Sequence, residues 1–384
     1  MPRAERPGTP EACAELLRAC ADAGRTVRVR GGGTKSDLGA QARTDVVLET
    51  GGLDGIVDHV PEDLTVTVRA GTSVAGLRDA LASHGQFLPL DPPHVARGAT
   101  VGGIIAANSN GFGRYRYGSV RDLLLGIRAA LPDGTIARAG GRVVKNVAGY
   151  DLNKLFVGSF GTLGVVVEAT FKILPLPPVA RAASATFASA EGAFGAADAL
   201  VRTSLRPTAV VVERSGPGPW RLLVAAAGER APVERAMTEL GRIAAAHAGT
   251  AEAIADPESA LGPLRELLDR STGGAVLRAA LPLATQAAFA EAAVRADPDA
   301  RLVADAASGV VQVHLPDESG MRSAADALLA SAHVLGGSAR MERTANPDLG
   351  VAGAPEPGGA FLGRRLKDAF DPRGILEPAR SIGR

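Results

Sequence analysis

Three stretches of small residues have the spacing of a cleft lined by backbone. The first, Arg30-Gly31-Gly32-Gly33-Thr34-Lys35-Ser36, directly follows a strand-like run. Consecutive glycines permit positive φ and let backbone N–H groups converge on an anion with no side chain in the way, an arrangement suited to a diphosphate. The second runs Gly98-Ala99-Thr100-Val101-Gly102-Gly103-Ile104-Ile105-Ala106-Ala107-Asn108-Ser109-Asn110-Gly111 and continues to Arg116-Tyr117-Gly118-Ser119-Val120-Arg121-Asp122. Backbone this free is costly to order unless a ligand or a close-packed main chain requires it. The third, Val144-Lys145-Asn146-Val147-Ala148-Gly149-Tyr150-Asp151-Leu152, leads to Gly158-Ser159-Phe160-Gly161-Thr162-Leu163-Gly164-Val165. Glycines ahead of a buried strand let a flat ring approach main-chain groups. A hairpin turn explains the first stretch alone and tight helix packing the second, but all three in this order point to a bound molecule. Two phosphate-binding fingerprints fail, because Thr34 separates Gly33 from Lys35 and Ser36 takes the place of the third Rossmann glycine.

The elements that must position these stretches are legible in outline. Residues 11–23 and 73–84 read as helices, and 26–30, 45–49, 64–70, 126–131 and 163–174 as strands, the last rich in valine and stopped by Pro175, Pro177 and Pro178. A domain boundary is expected there. Beyond it, alanine-rich helical stretches near 190–203, 231–248 and 285–296 alternate with strands near 209–213, 220–226 and 309–315, which suits an α+β sandwich. Residues 345–359 read as a loop and 361–370 as a final helix stopped by Asp371-Pro372. The expected domains are therefore 1–178, 179–345 and a returning C-terminal loop and helix at 346–384.

Composition excludes several classes of function. The chain has 384 residues, enough for two domains with separate cores. Its 42 basic and 41 acidic residues give a net charge of +1, so no global field attracts nucleic acid or an anionic membrane. Cys13 and Cys20 lie on one face of a helix about 10 Å apart along its axis, beyond disulfide reach, so they read as reduced thiols in a reducing compartment. The charged N-terminus and the lack of a long apolar run point to a cytoplasmic protein, with any contact to the inner face of a membrane made through a partner.

The stretches R-G-G-G-T-K, G-A-T-V-G-G-I-I-A-A-N with R-Y-G, K-N-V-A-G-Y-D-L and G-T-L-G-V-V-V-E resemble, in order, the FAD domain of the vanillyl-alcohol oxidase/p-cresol methylhydroxylase (PCMH)-type flavoproteins. The ending Arg365-Leu366-Lys367-Asp368-Ala369-Phe370-Asp371-Pro372-Arg373-Gly374-Ile375-Leu376-Glu377-Pro378-Ala379-Arg380 is similar to that of glycolate oxidase E subunits, with Glu377 and Ala379 standing where Asn and Gly are usual. The resemblance implies an α+β fold: a two-lobed PCMH-type FAD-binding domain followed by a smaller cap domain with an antiparallel sheet. It also implies that Gly31, Gly32, Gly33, Thr34, Lys35, Thr100, Gly102 and Gly103 hold the diphosphate. Asn108, Gly111, Tyr117 and Gly118 would follow the ribityl chain and flavin ring, and Gly161, Gly164 and Val165 the adenine end. Thr34 stands where covalent members often carry His, so noncovalent FAD is expected. No metal site is expected.

The resemblance further implies a redox subunit of a glycolate oxidase-like complex, with a larger FAD-binding catalytic subunit, an iron–sulfur subunit and a small 2-hydroxy acid substrate as partners. No cluster-binding cysteine pattern occurs here, so an iron–sulfur relay belongs elsewhere. Two alternatives remain open: a self-sufficient 2-hydroxyacid dehydrogenase for D-lactate or glycolate, and an assembly subunit that binds FAD for stability alone. Catalytic relatives carry an H-x-G-D-G-N-x-H stretch, whereas the comparable Asp305-Ala306-Ala307-Ser308-Gly309-Val310-Val311 has no histidine. His314 reads as structural or solvated, and Arg340 and Arg343 as surface arginines, so no catalytic residue is assigned.

Overall fold

The computed structural model describes residues 2–36, 38, 43–141, 151–268, 274–316, 320–344 and 360–377. The chain divides into two compact units, one formed by Met1–Asn110, Gly118–Leu176 and Glu356–Arg384, the other by Gly111–Tyr117 and Pro177–Pro355. The sequence pattern keeps 1–178 in one piece. The structure instead gives 111–117 to the second unit, because Phe112 is fully buried among Ala182, Ala209, Val211, Leu223 and Val303.

In the first unit, the helix Pro10–Asp22 begins where Thr9 Oγ1 accepts Ala12 N at 3.1 Å, with proline in its first turn. Cys13, Leu17 and Cys20 fall on one helical face and pack against Val27, Val46, Leu48, Val165 and Val167. Burial pushes the Cys13 thiol up to about 12, which makes it an inert packing group. A parallel three-stranded sheet places Val46–Glu49 between Arg3–Glu5 and Val27–Arg30. An antiparallel five-stranded sheet runs Ile56–Val60, Thr65–Arg69, Val165–Lys172, Leu124–Ala130, Ile136–Gly140. Its central strand, Val165–Lys172, is buried along nearly its whole length, which is why valine occupies consecutive rather than alternate positions.

The second unit is an eight-stranded antiparallel sheet ordered Thr250–Ile254, Val179–Phe187, Trp220–Gly228, Ala209–Arg214, Arg301–Asp305, Val310–Leu315, Ala275–Ala280, Ser338–Thr344. Helices Ala190–Val201, Arg230–Ala246, Gln286–Ala296 and Met321–Val334 pack on one face through a single large apolar core. On the opposite face, Leu261, Leu264 and Leu267 of the helix Pro257–Leu267 cover some of the sheet together with Phe112. Several of these strands, such as Val179–Phe187 and Ala275–Ala280, are alanine-rich. Alanine has little β-propensity, so their pairing is set by neighbours rather than by local preference.

Candidate functional site

The first unit contains an open cleft lined by the glycine loop, the Thr100 segment and residues 160–166. Its floor begins at the strand Val27–Arg30, which pairs in parallel with Val46–Glu49 on one edge. Along the other edge runs the C-terminal segment: Val27 N donates to Ile375 O at 2.8 Å and Glu377 N donates to Val27 O at 2.9 Å. Beyond the strand the glycine loop crosses the turn before Thr100 at very close range. A Cβ on Gly31 would fall 2.3 Å from Thr100 Oγ1, and one on Gly32 would fall 1.8 Å from Gly98 O. Gly33, at φ +73°, takes a conformation that only glycine adopts freely, and a Cβ there would meet only Arg30 Cδ and Ser36 Oγ, each at 3.8 Å. Thr100 Oγ1 in turn accepts Gly103 N at 3.3 Å.

The opposite wall is the 158–164 loop, in which Phe160 and Gly161 are both left-handed, at φ 51° and 78°. Gly158 N donates to Ile105 O at 3.0 Å and Phe160 N to Ala106 O at 2.8 Å, fastening this loop to the segment after Thr100. Preceding it, Lys154 Nζ donates to the carbonyls of Arg121 and Leu124, and burial holds its ammonium below the usual lysine range. Lys367 Nζ donates to Thr162 O at 2.9 Å, to Leu376 O at 2.7 Å and to Asp371 Oδ2 at 2.5 Å. On the strand side, Val29 N donates to Glu377 Oε1 at 2.8 Å. The C-terminal segment is thereby tied to both walls. Glu377 is buried at φ 42°, a backbone position that suits Asn better than Glu, yet its carboxylate still makes a polar contact there.

Of the residues expected from the sequence, Gly31, Gly32, Gly33, Thr34, Lys35, Thr100, Gly102, Gly103, Gly161, Gly164 and Val165 all line this cleft. Asn108, Gly111, Tyr117 and Gly118 are not among its lining residues. Asn108 instead turns the chain at φ 47° and accepts Asn110 Nδ2, while Gly111 and Tyr117 belong to the segment grouped with the second unit. Lys145 to Tyr150 of the third stretch lie outside the described residues. Thr50, which no sequence motif singled out, also lines the cleft. Its carbonyl lies 2.0 Å from where a Gly71 side chain would begin, so the lone Gly71 was the signal.

The lining suits a diphosphate. Seven glycines, Gly31, Gly32, Gly33, Gly102, Gly103, Gly161 and Gly164, leave main chain uncovered along it, and Arg28 and Lys35 bring positive charge, while Arg30 pairs with Glu49.

Residues 3–140 match the family model described as an FAD binding domain. The chain carries an FAD binding domain. The chain is 44% identical over 149 residues to the glycolate oxidase subunit GlcE of Escherichia coli, covering 39% of this chain and 42% of the relative. Glycolate oxidase subunit GlcD of Bacillus subtilis is 34% identical over 203 residues, 52% of this chain and 43% of the relative. The mitochondrial D-lactate dehydrogenase [cytochrome] 1 of Saccharomyces cerevisiae is 34% identical over 208 residues, 53% of this chain and 35% of the relative. Each match spans less than half the length of the relative. Over the whole fold, a solved alkyldihydroxyacetonephosphate synthase superposes with a TM-score of 0.75 at 16% identity, covering 98% of this chain and 76% of its own. The α+β architecture is shared with that enzyme.

Outside the FAD binding domain, the stretch 305–311 is the turn 306–309 with the adjoining ends of the strands Arg301–Asp305 and Val310–Leu315. His314, on the second of these strands, is 3% exposed, so it is buried rather than solvated. Arg343 is likewise 3% exposed, which corrects its reading as a surface residue. Among the described residues no group of three or more His, Cys, Asp or Glu is placed to hold a metal ion. None of their helices is long and apolar enough to cross a membrane.

Proposed function

We propose that the chain is an FAD-dependent oxidoreductase acting on 2-hydroxy acids, serving as the redox subunit of a glycolate oxidase-like complex. The observation that carries this reading is the convergence of the glycine loop and the Thr100 segment, both inside the residues that match an FAD binding domain, with the 158–164 loop on one cleft of the first unit. The backbone of Gly31–Lys35, with Thr100, Gly102 and Gly103, holds the diphosphate, and Gly161, Gly164 and Val165 the adenine end. Asn108, Gly111, Tyr117 and Gly118 follow the flavin side. Bound FAD supplies a two-electron acceptor for oxidation of a hydroxyl carbon. Thr34 in the glycine loop supports noncovalent attachment. Similarity to GlcE and GlcD supports a complex with a larger flavoprotein subunit, and the iron–sulfur subunit completes the electron path.

A self-sufficient dehydrogenase is the second reading, favoured by the similarity to a D-lactate dehydrogenase and by the buried imidazole of His314. Anaerobic titration of the FAD-loaded chain with glycolate and D-lactate, followed by flavin bleaching, separates the two. Bleaching only after the partner subunits are added is the expected outcome. Bleaching by the chain alone replaces the first reading with the second, and no bleaching under either condition removes both.

A further inference from the structure

At one edge of the five-stranded sheet in the first unit, two histidines meet. His59 lies on the edge strand Ile56–Val60 and pairs across the ladder with Val66. Directly paired residues share a face of the sheet. Val66 packs with Leu77 and Leu81 of the helix Val74–Ala82, so His59 is on the side that this helix covers. His84 comes directly after Ser83, the C-cap of that helix, and the two imidazole rings stand 4.8 Å apart between centroids, at 86° to each other. His84 is exposed and His59 half-buried, which puts the pair at the boundary with solvent.

The hydrogen bonds around the two rings assign their tautomers. Gln86 Nε2 donates to Pro61 O at 2.9 Å, which leaves the amide oxygen Oε1 to face His59 Nε2 at 2.8 Å. An amide oxygen only accepts, so His59 Nε2 carries the hydrogen and Nδ1 of the neutral ring keeps its lone pair. In His84, Nδ1 lies 3.1 Å from Ala80 O, another obligate acceptor, and 3.1 Å from Ser83 Oγ, which donates its own hydrogen to Ala80 O at 2.7 Å. Here Nδ1 carries the hydrogen and Nε2 keeps the lone pair. Each ring thus donates one N–H to a protein oxygen and leaves its other nitrogen basic, with no hydrogen-bond partner for that nitrogen among the described residues. Metal-binding histidines are oriented in this way, by an acceptor on the nitrogen away from the ion. Two imidazoles bound to one tetrahedral ion at about 2.0–2.1 Å place their ring centres roughly 5 Å apart. The observed separation of 4.8 Å meets that requirement.

We propose that His59 Nδ1 and His84 Nε2 form a binding site for a divalent transition-metal ion of the nitrogen-preferring class, such as zinc, with water in the remaining positions. Imidazole suits such ions, whereas calcium and magnesium take oxygen ligands. With two protein ligands the site is open to exchange, unlike the closed four-ligand sites of structural zinc. The ion joins the end of the helix Val74–Ala82 to a strand that has a ladder partner on one side only. Because the folded chain brings the two rings together, binding stabilises the first unit by linkage. Neither histidine lines the FAD cleft, so the site does not depend on the functional reading above.

The test uses the untagged full chain, stripped with EDTA and titrated calorimetrically with zinc chloride, with magnesium chloride as the oxygen-preferring comparison. One zinc ion per chain is expected, bound at least tenfold more weakly by His59→Gln and by His84→Gln. Affinity should be unchanged in His333→Gln, which alters an exposed histidine of the second unit. Zinc should also move the imidazole NMR signals of two of the six histidines in the wild type, a readout that holds even if a variant folds poorly. His84→Gln, at an exposed position, identifies one of the two by the loss of its signal. Absence of zinc binding, unchanged affinity in both variants, an unmoved His84 signal, or magnesium binding as tightly as zinc overturns the proposal.

Discussion

Gly32 has no room for a side chain, since a Cβ would sit 1.8 Å from the carbonyl oxygen of Gly98. Gly32→Ala must push the glycine loop and the Gly98 turn of the FAD cleft away from each other, so its FAD affinity falls at least tenfold by flavin absorbance titration. Gly8→Ala, with nothing within 4 Å and no positive φ, stays at the wild-type value. His314 makes a prediction of a different kind. Burial disfavours the imidazolium, and Arg301 and Arg343 repel it, so His314 titrates at about 4 rather than 6.5. As the pH falls from 6.5 towards 4 the unfolded chain takes up a proton that the folded chain refuses. Stability from this residue is therefore complete above pH 6.5 and is lost through that window. Between pH 7 and pH 5, His314→Gln should remove about 2 kcal/mol of the acid-induced fall, read from urea midpoints in carboxylate-free buffer.

At the scale of elements, the FAD cleft depends on a segment remote in sequence. The Lys367 ammonium holds Thr162 and Leu376 through their carbonyls and pairs with Asp371, whose side chain is fully buried and also accepts Ile375 N and Leu376 N. Lys367→Met leaves that carboxylate without its cation, so it should cost about 3 kcal/mol and loosen FAD as well. Chemical denaturation of the FAD-free chain measures the first effect, and flavin fluorescence on dilution the second. If Lys367→Met were as stable as wild type, the tie between the C-terminal segment and the 158–164 loop would have no energetic weight.

The whole molecule should unfold in two steps, because its two units hold separate cores. FAD held in the proposed cleft, which lies in the first unit, should raise that transition by ligand linkage. Phe112 inserts from a seven-residue excursion, Gly111–Tyr117, into the core of the second. Phe112→Ala leaves a hole there and should lower the second transition by about 3–5 kcal/mol, with the first unchanged in scanning calorimetry. A single transition in the wild type, unmoved by FAD, would contradict this division.

Local chemistry alone determined much of this protein. The run of three glycines after a strand, the Thr100 segment and the Gly161–Gly164 repeat announce a cleft approached closely by main chain, because glycine tolerates such approach at no steric cost. The valine-rich strand and its terminating prolines were equally readable, since periodicity and proline chemistry act over a few residues. What only the tertiary structure decided depends on partners distant in sequence. Phe112 leaves its neighbours for the other unit because an apolar hole waits there, and Glu377 reaches Val29 across 348 positions. Arg301, His314 and Arg343 read singly as ordinary polar residues, and only strand register sets them on one face of the sheet, with His314 and Arg343 buried there. Register is a property of the assembled sheet, which no local stretch encodes on its own.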